Sequence, residues 1–472
     1  MKEEREAPLL RPAAELRRQL PRRGPRAPRI AAALVALFLA ASAVLLLPAK
    51  EPLPVEGPAR EAESGFTQLV PEGAGTPVAA RVEARGETYT LRAGADGDYS
   101  LAEDALPVDA AAARRVLGCG ASLLARQRIK TQDAAAFGLD PAGVTAAFTY
   151  ADGRTLTLCL GDAPATGEGR YAQVEGVDGV YVVNRALYET LSAGSGALAA
   201  LPDLSAFRAE TLLEATVTPR GGETVSVARV TEANPFNTVA QLTEPIRYPA
   251  SSERAAELFL AVCGLKAEGY AGRATGREAL SAYGLDAPLF TLRLLGAGGE
   301  TLDAQVGEAD GALYLRLGGE DAVYALSQDA GRIPEIARVT YLAEQLPGLV
   351  SLAEVEALTL RRGGETHTLR VERPQTGAAV YRVDGAAVEL EEFRPYYQAA
   401  IGLLIDRRRG EGQQLGACRA SFTYTFTDGT EWTLRFLNCG EAYDAVERDG
   451  EAAFLIARRK VDAVFDRFTE EE

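Results

Sequence analysis

His367 is the one histidine in the chain, and histidine is the side chain whose ordinary pKa suits it to general-base work near neutral pH. Such work also needs an orienting partner and a cleft, and neither is evident around it. The run that contains it, Arg362-Gly363-Gly364-Glu365-Thr366-His367-Thr368-Leu369, occurs twice earlier, with Tyr89 and then Val225 in the corresponding place. A position that accepts tyrosine, valine and histidine asks for a side chain that fits a strand face, so His367 is assigned to the strand. A single histidine also excludes metal centres built from several imidazoles.

The five cysteines offer thiolate or metal chemistry, but no two have metal-ligand spacing. Cys119 and Cys263 align with Ile401 and read as small hydrophobic residues on a buried helix face. Cys418 and Cys439 flank a hairpin and could approach each other, although spacing alone does not decide a disulfide. Ala95-Asp96-Gly97-Asp98 lacks the alternating acidic run and closing glutamate of a calcium loop and reads as a turn. Gly194-Ser195-Gly196 lacks the intervening residues of a nucleophile elbow. Gly221-Gly222 and Gly318-Gly319 fit hairpin turns better than a phosphate cradle. No catalytic, cofactor-binding or metal-binding residue is therefore assigned, no cofactor is expected, and the chain is read as a non-enzyme.

The elements that would hold these residues are organised by repetition. Arg85-Gly86-Glu87-Thr88-Tyr89-Thr90-Leu91 returns as Arg220-Gly221-Gly222-Glu223-Thr224-Val225-Ser226-Val227 and as the run around His367. Each copy joins a glycine-containing turn to strand-like alternation, the start of a hairpin. At 472 residues the chain is long enough for about three domains, and with 47% hydrophobic and 25% charged residues it is a folding composition.

Charge is distributed unevenly. The net charge is −16, yet residues 1–29 hold nine Lys/Arg against four Glu, a surplus of five, so the remainder carries −21. So acidic a body repels phosphate backbones, and nucleic acid is excluded as its partner. Residues 30–47 carry no charge, and as a helix they would reach about 27 Å, near the thickness of a bilayer core. A cleavable signal peptide would want a small-residue site where Leu45-Leu46-Leu47-Pro48 stands, and no cysteine follows to carry a lipid. A buried helix of a soluble domain fits poorly with the basic run before it and the prolines after it. The segment is expected to be an uncleaved anchor, with residues 1–29 in the cytoplasm and the rest outside. Residues 48–78, rich in Pro, Gly, Glu and Ala, are expected to form a tether without fixed structure.

Three α+β units should follow, at 79–213, 214–353 and a divergent 354–472, each built from antiparallel hairpins and meanders with short helices. In the first, Asp109 is a natural N-cap for a helix carrying Val116, Leu117, Cys119, Leu123 and Leu124, with Gly120 as its terminator or break. Phe137-Gly138-Leu139-Asp140-Pro141 and Tyr283-Gly284-Leu285-Asp286-Ala287-Pro288 read as corners in which glycine takes a positive φ while the aromatic ring and leucine pack down. The third unit keeps only Leu415-Gly416-Ala417. Meanders come next, with Asp152-Gly153 and Asp428-Gly429 as hairpin turns of the favoured two-residue kind. Short helices from Asn184, Ser327 and Arg458 close each unit.

The corner, the following Leu160-Gly161-Asp162, then Arg170-Tyr171 and Val180-Tyr181-Val182-Val183 resemble the bacterial family catalogued as domain of unknown function 4340. Gly307-Glu308 and the divergent Asn438-Cys439-Gly440 stand in for Gly161-Asp162 in the later units. The resemblance implies a membrane-anchored envelope protein in the company of ABC-type export or gliding-motility systems, and it supplies no catalytic residues. The expectation is a single-pass bacterial cell-membrane protein, held through residues 30–47, whose extracytoplasmic units act as an interaction or scaffold module with ABC-type transporter subunits as partners. The alternative is an extracytoplasmic protein holding a small molecule or glycan between units. A hydrolase ranks third.

Overall fold

The computed structural model describes residues 63–469, apart from Gln132. The basic tail and the apolar segment 30–47 lie outside the described residues, and among those described no helix is long and apolar enough to cross a membrane. The fold is α+β: three antiparallel sheets of nine strands each, with short helices.

The three sheets share one path. In the first, a hairpin (Ala79–Ala84, Glu87–Ala93) adds the short strand Tyr99–Leu101, and the helix Ala110–Ala121 crosses to the opposite edge. There Leu124–Ile129 forms a return strand. A four-stranded meander, from Val144–Thr149 to Val180–Val183, then fills the space between hairpin and return strand. The second sheet repeats this path from Leu212–Pro219 to Ala322–Leu326, and the third from Val355–Arg362 to Glu451–Ala457. Two units add their ninth strand beside the hairpin, as Tyr248–Pro249 and Ala386–Val388. The first unit adds it outside the return strand, as Glu63–Gln68.

That last strand corrects the expected tether over its described part, 63–78, while residues 48–62 lie outside the described residues. Glu63–Gln68 pairs antiparallel with Leu124–Ile129, and the following Leu69 is buried in the first core. The composition of this stretch is that of a linker, but an unpaired sheet edge offers backbone partners to a passing chain whatever its side chains.

Local chemistry explains the turns. Arg85 (φ 53°) and Gly86 (φ 80°) both take the left-handed region, which a two-residue hairpin matching the strand twist requires. Asp449-Gly450 does the same. Asp152-Gly153 and Asp428-Gly429 do not: only the glycines are left-handed, and Gly153 N–H donates to the Tyr150 carbonyl across a three-residue turn. Their aspartates accept from the backbone two residues on, Arg154 N–H at 3.0 Å and Thr430 N–H at 2.8 Å, which holds the αR turn instead.

Asp109 caps its helix as expected, accepting from Ala112 N–H at 2.6 Å. Gly120, however, does not end it. It lies within the helix and is buried, and a Cβ there would stand 2.5 Å from the Phe148 ring, so the glycine permits helix and sheet to touch.

The cores are not divided three ways. One continuous apolar cluster runs from Phe207 to Phe465 and includes the second and third units, whereas the first unit has its own.

Candidate functional site

The strand register tests the repeat alignment directly. Tyr89 lies opposite Val82, Val225 opposite Val217 and His367 opposite Leu360, in each case on the second hairpin strand, with the first hairpin strand between it and the meander. His367 is thus at the strand position expected. The expected lack of partners is corrected: its Nδ1 lies 2.7 Å from Asp384 Oδ2 and its Nε2 3.0 Å from Glu365 Oε1, and the ring stacks on Phe468 at 4.2 Å. Burial opposes the charged imidazolium, but the hydrogen bonds to Asp384 and Glu365 outweigh it and raise the His367 pKa. In turn the hydrogen bond from His367 holds Glu365 below its usual range. A ring with both nitrogens occupied by carboxylates is a poor general base. Glu365, two residues away and so on the same strand face, was the legible half of this arrangement.

Beside it lies an ion network. Arg362 meets Glu365 at 2.9 Å, Asp462 at 3.2 Å and Asp466 at 3.5 Å, with its guanidinium over the Phe465 ring. Arg419 holds Asp462 and the fully buried Asp444, which Arg458 also approaches at 3.5 Å. These charges come from the hairpin, the meander and the closing helix, and they tie the three together.

All five cysteines are free thiols. Cys418 is exposed and Cys439 buried, and no bridge joins them. Cys119 and Cys263 are half-buried against the cores, and burial pushes each thiol up to about 11, away from thiolate chemistry. Asp98 sits in a turn closed by Gly94 N–H donating to its carbonyl at 2.7 Å, and no acidic, thiol or imidazole group suited to a metal ion forms among the described residues. Ser195 donates both its N–H and its hydroxyl to the Glu87 carboxylate.

What the motif residues do is geometric. Gly138 and Gly284 take φ 66° and 65°, and the corner each opens is laid against the end of the second meander strand. Phe137, Leu139 and Leu285 are buried as expected, and Tyr283 is half-buried. A Cβ on Gly161 would come within 2.2 Å of the Phe137 carbonyl oxygen, and one on Gly307 within 2.2 Å of that of Tyr283. Two glycine sites far apart in sequence thus serve one backbone-to-backbone contact.

A family model described as domain of unknown function (DUF4340) matches residues 101–288 and again 241–394. The chain belongs to the DUF4340 family. No curated protein matches it. The two DUF4340 matches begin at equivalent points, since Leu101 pairs with Leu91 on the third strand of the first sheet as Leu242 pairs with Val227 in the second. The first match includes the corners of both the first and the second unit, and the second match includes that of the second; the third, eroded corner around Gly416 lies beyond the residues matched to DUF4340.

Two features escaped the sequence reading. The first is an aromatic clasp between the second and third units, in which Arg448, buried, lies over Phe236 at 4.4 Å and Trp432 at 5.0 Å and donates to the Pro347 carbonyl at 2.6 Å. The second is a pocket of about 250 Å³ at the second sheet, walled by Ala255, Phe259 and Arg229. Val239 and Leu260 stand on its rim, 47% and 61% exposed. The outward Leu260 could have been found, because it breaks the polar face of the helix Ser252–Cys263.

Proposed function

We propose that the chain is a single-pass, membrane-anchored extracytoplasmic docking module, an auxiliary component of an ABC-type export or gliding-type envelope complex, with residues 1–29 cytoplasmic and 30–47 as the anchor. The observation that carries this reading is the apolar rim of Val239 and Leu260 around a small hydrophobic pocket. Large apolar side chains left in water beside a pocket are the usual anchor of a protein contact. The helix that bears Leu260 is fixed at both ends of its buried face by Ala255, Leu258, Phe259 and Val262, so the surface is presented by a rigid element. The groups best suited to chemistry, His367 and the half-buried thiols, are engaged in packing and ion pairs, which supports a role without catalysis. The alternative, a ligand held between units, has less support, because the four pockets beside Phe259, Lys266, Arg419 and Arg170 each lie against a single sheet.

A photo-crosslinker at Leu260 in the full chain, followed by purification in mild detergent, tests the proposal. The expected product is a covalent adduct with a transporter subunit that Val239→Asp abolishes. Recovery of no ABC-type subunit overturns the export-complex reading.

A further inference from the structure

A second pocket, of about 340 Å³, lies in the first unit where the hairpin turn, the meander and the closing helix meet. Each contributes an arginine: Arg85 from the turn, Arg170 from the strand Arg170–Val174 and Arg185 from the helix Arg185–Leu191. Arg170 is the unusual one. It pairs with Val183 as Leu313 of the second unit pairs with Leu326, and Leu313 is a core residue only 3% exposed. An arginine stands where the second unit has that leucine. Its guanidinium lies 4.1 Å from the Tyr188 ring centroid, and its Nε is buried with no acceptor among the described residues.

Arg170 is half-buried, and a guanidinium N–H withdrawn from water without an acceptor is costly unless something else supplies one. The third unit shows how the same corner is neutralised from within. There Arg362 and Arg419, which line a pocket beside the hairpin turn and the first meander strand, are met by Asp462 and Asp466 of the closing helix Arg458–Asp466 and by the buried Asp444. In the first unit the closing helix is seven residues long and offers only Glu189, at the position of Asp462, and Glu189 is bonded to Arg185 at 2.8 Å. Glu87, nearby, is occupied by Ser195. Three arginines thus line a cavity of metabolite size with Glu189 as the one carboxylate in its lining.

We propose that this pocket binds a small solute through an oxyanion group, a phosphate or a carboxylate, with Arg170 as the central donor and the Tyr188 ring fixing its plane. The planar fork of arginine suits either anion, and stacking on Tyr188 leaves the edge of the fork for the ligand. The site is independent of the docking surface at Leu260.

Isothermal titration of the full chain in detergent, at constant ionic strength set with chloride, tests it with inorganic phosphate and succinate as separate probes. The expected result is saturable binding of at least one probe that weakens about tenfold or more in Arg170→Leu, a loss of about 1.4 kcal/mol. Leucine is the residue the second unit carries there, so the fold should accept it. Arg185→Gln, at an exposed position, should weaken binding several-fold and serves should Arg170→Leu fail to fold. No saturable heat with either probe, or binding unchanged in both variants, overturns the site.

Discussion

The first and third units take the same path from hairpin through return strand to meander, differing only in where the ninth strand is added, yet they join the second in opposite ways. The third unit has no core of its own apart from small satellites: Tyr248 packs on Phe454 at 4.7 Å, Phe236 on Trp432 at 4.7 Å, and Tyr424 and Tyr397 donate to the Gly348 and Val350 carbonyls at 3.0 Å. The first unit meets the second through a polar seam, with Asp104 receiving Tyr270 Oη at 3.3 Å and Arg273 at 3.4 Å. An apolar junction excludes water over many side chains and behaves as one cooperative body, whereas a seam of partly exposed charges is worth little and permits movement. Repetition of a fold therefore does not imply repetition of mechanical role.

The largest effect should come from breaking the corner of the first unit. Gly161→Ala forces a Cβ onto the Phe137 carbonyl, which is backbone and cannot swing aside, and should cost about 3 kcal/mol. In the third unit Gly416→Ala would meet Asn438 Cβ at 3.1 Å and should cost well under half as much. Chemical denaturation of the two variants checks this, and equal losses would remove the distinction between the tight and the eroded corner. Next in size is Arg448→Ala, which empties the clasp between Phe236 and Trp432 and should lower stability by about 2–3 kcal/mol. Hydrogen exchange should then speed up in the second and third units together and leave the strand Val144–Thr149 protected. Faster exchange confined to the third unit would contradict a shared core.

How much of this could be read from the sequence follows from distance along the chain. The turns were legible because Arg85-Gly86 and Asp449-Gly450 state their backbone requirement locally. The corner glycines were legible in part: the φ of Gly138 could be expected, but the need for Gly161 appears only when its strand is laid on Phe137. Asp152-Gly153 misled because an aspartate side chain bonded to Arg154 N–H selects a longer turn from the same dipeptide. The clasp was out of reach, since nothing near Phe236 announces Arg448. Arg170 was within reach, because aligning it with Leu313 exposes a charge where the fold asks for an apolar side chain.

A smaller effect separates the charge networks of the two end units by pH. The His367 pKa is raised, so its contribution is fully present below the unfolded value of about 6.5 and is lost as pH rises through the folded value. Glu365, held low, has the opposite sign: its contribution is present above about 4.3 and is lost as pH falls through its folded value. The Glu365–His367–Asp384 bridge should therefore stabilise the third unit most in mildly acidic solution. His367→Gln should cost about 1 kcal/mol there and less at alkaline pH. Melting curves of both proteins across the neutral range check it, and a constant difference between them would mean that the ring is held by stacking on Phe468 alone.

The smallest expected change in stability carries the most direct test of the seam. Asp104 and Arg273 are each about one-third exposed, at 34% and 37%, and a pair so wetted should contribute about 0.5 kcal/mol. Asp104→Ala also releases the Tyr270 hydroxyl, whose pKa burial and the Asp104 charge now raise to about 12. Melting of the fused second and third units should not change measurably. What should change is the freedom of the first unit, because with Asp104 gone little polar contact restrains the return strand Ala267–Arg273 against the turn Ser195–Leu198. Small-angle scattering should then show a broader distribution of sizes, and proteolysis should become faster between the first and second sheets. If scattering and proteolysis both match the unaltered chain, the seam is held by the packing of Tyr270 against the first core, and the contrast between a hinged first unit and a fused third would have to be given up.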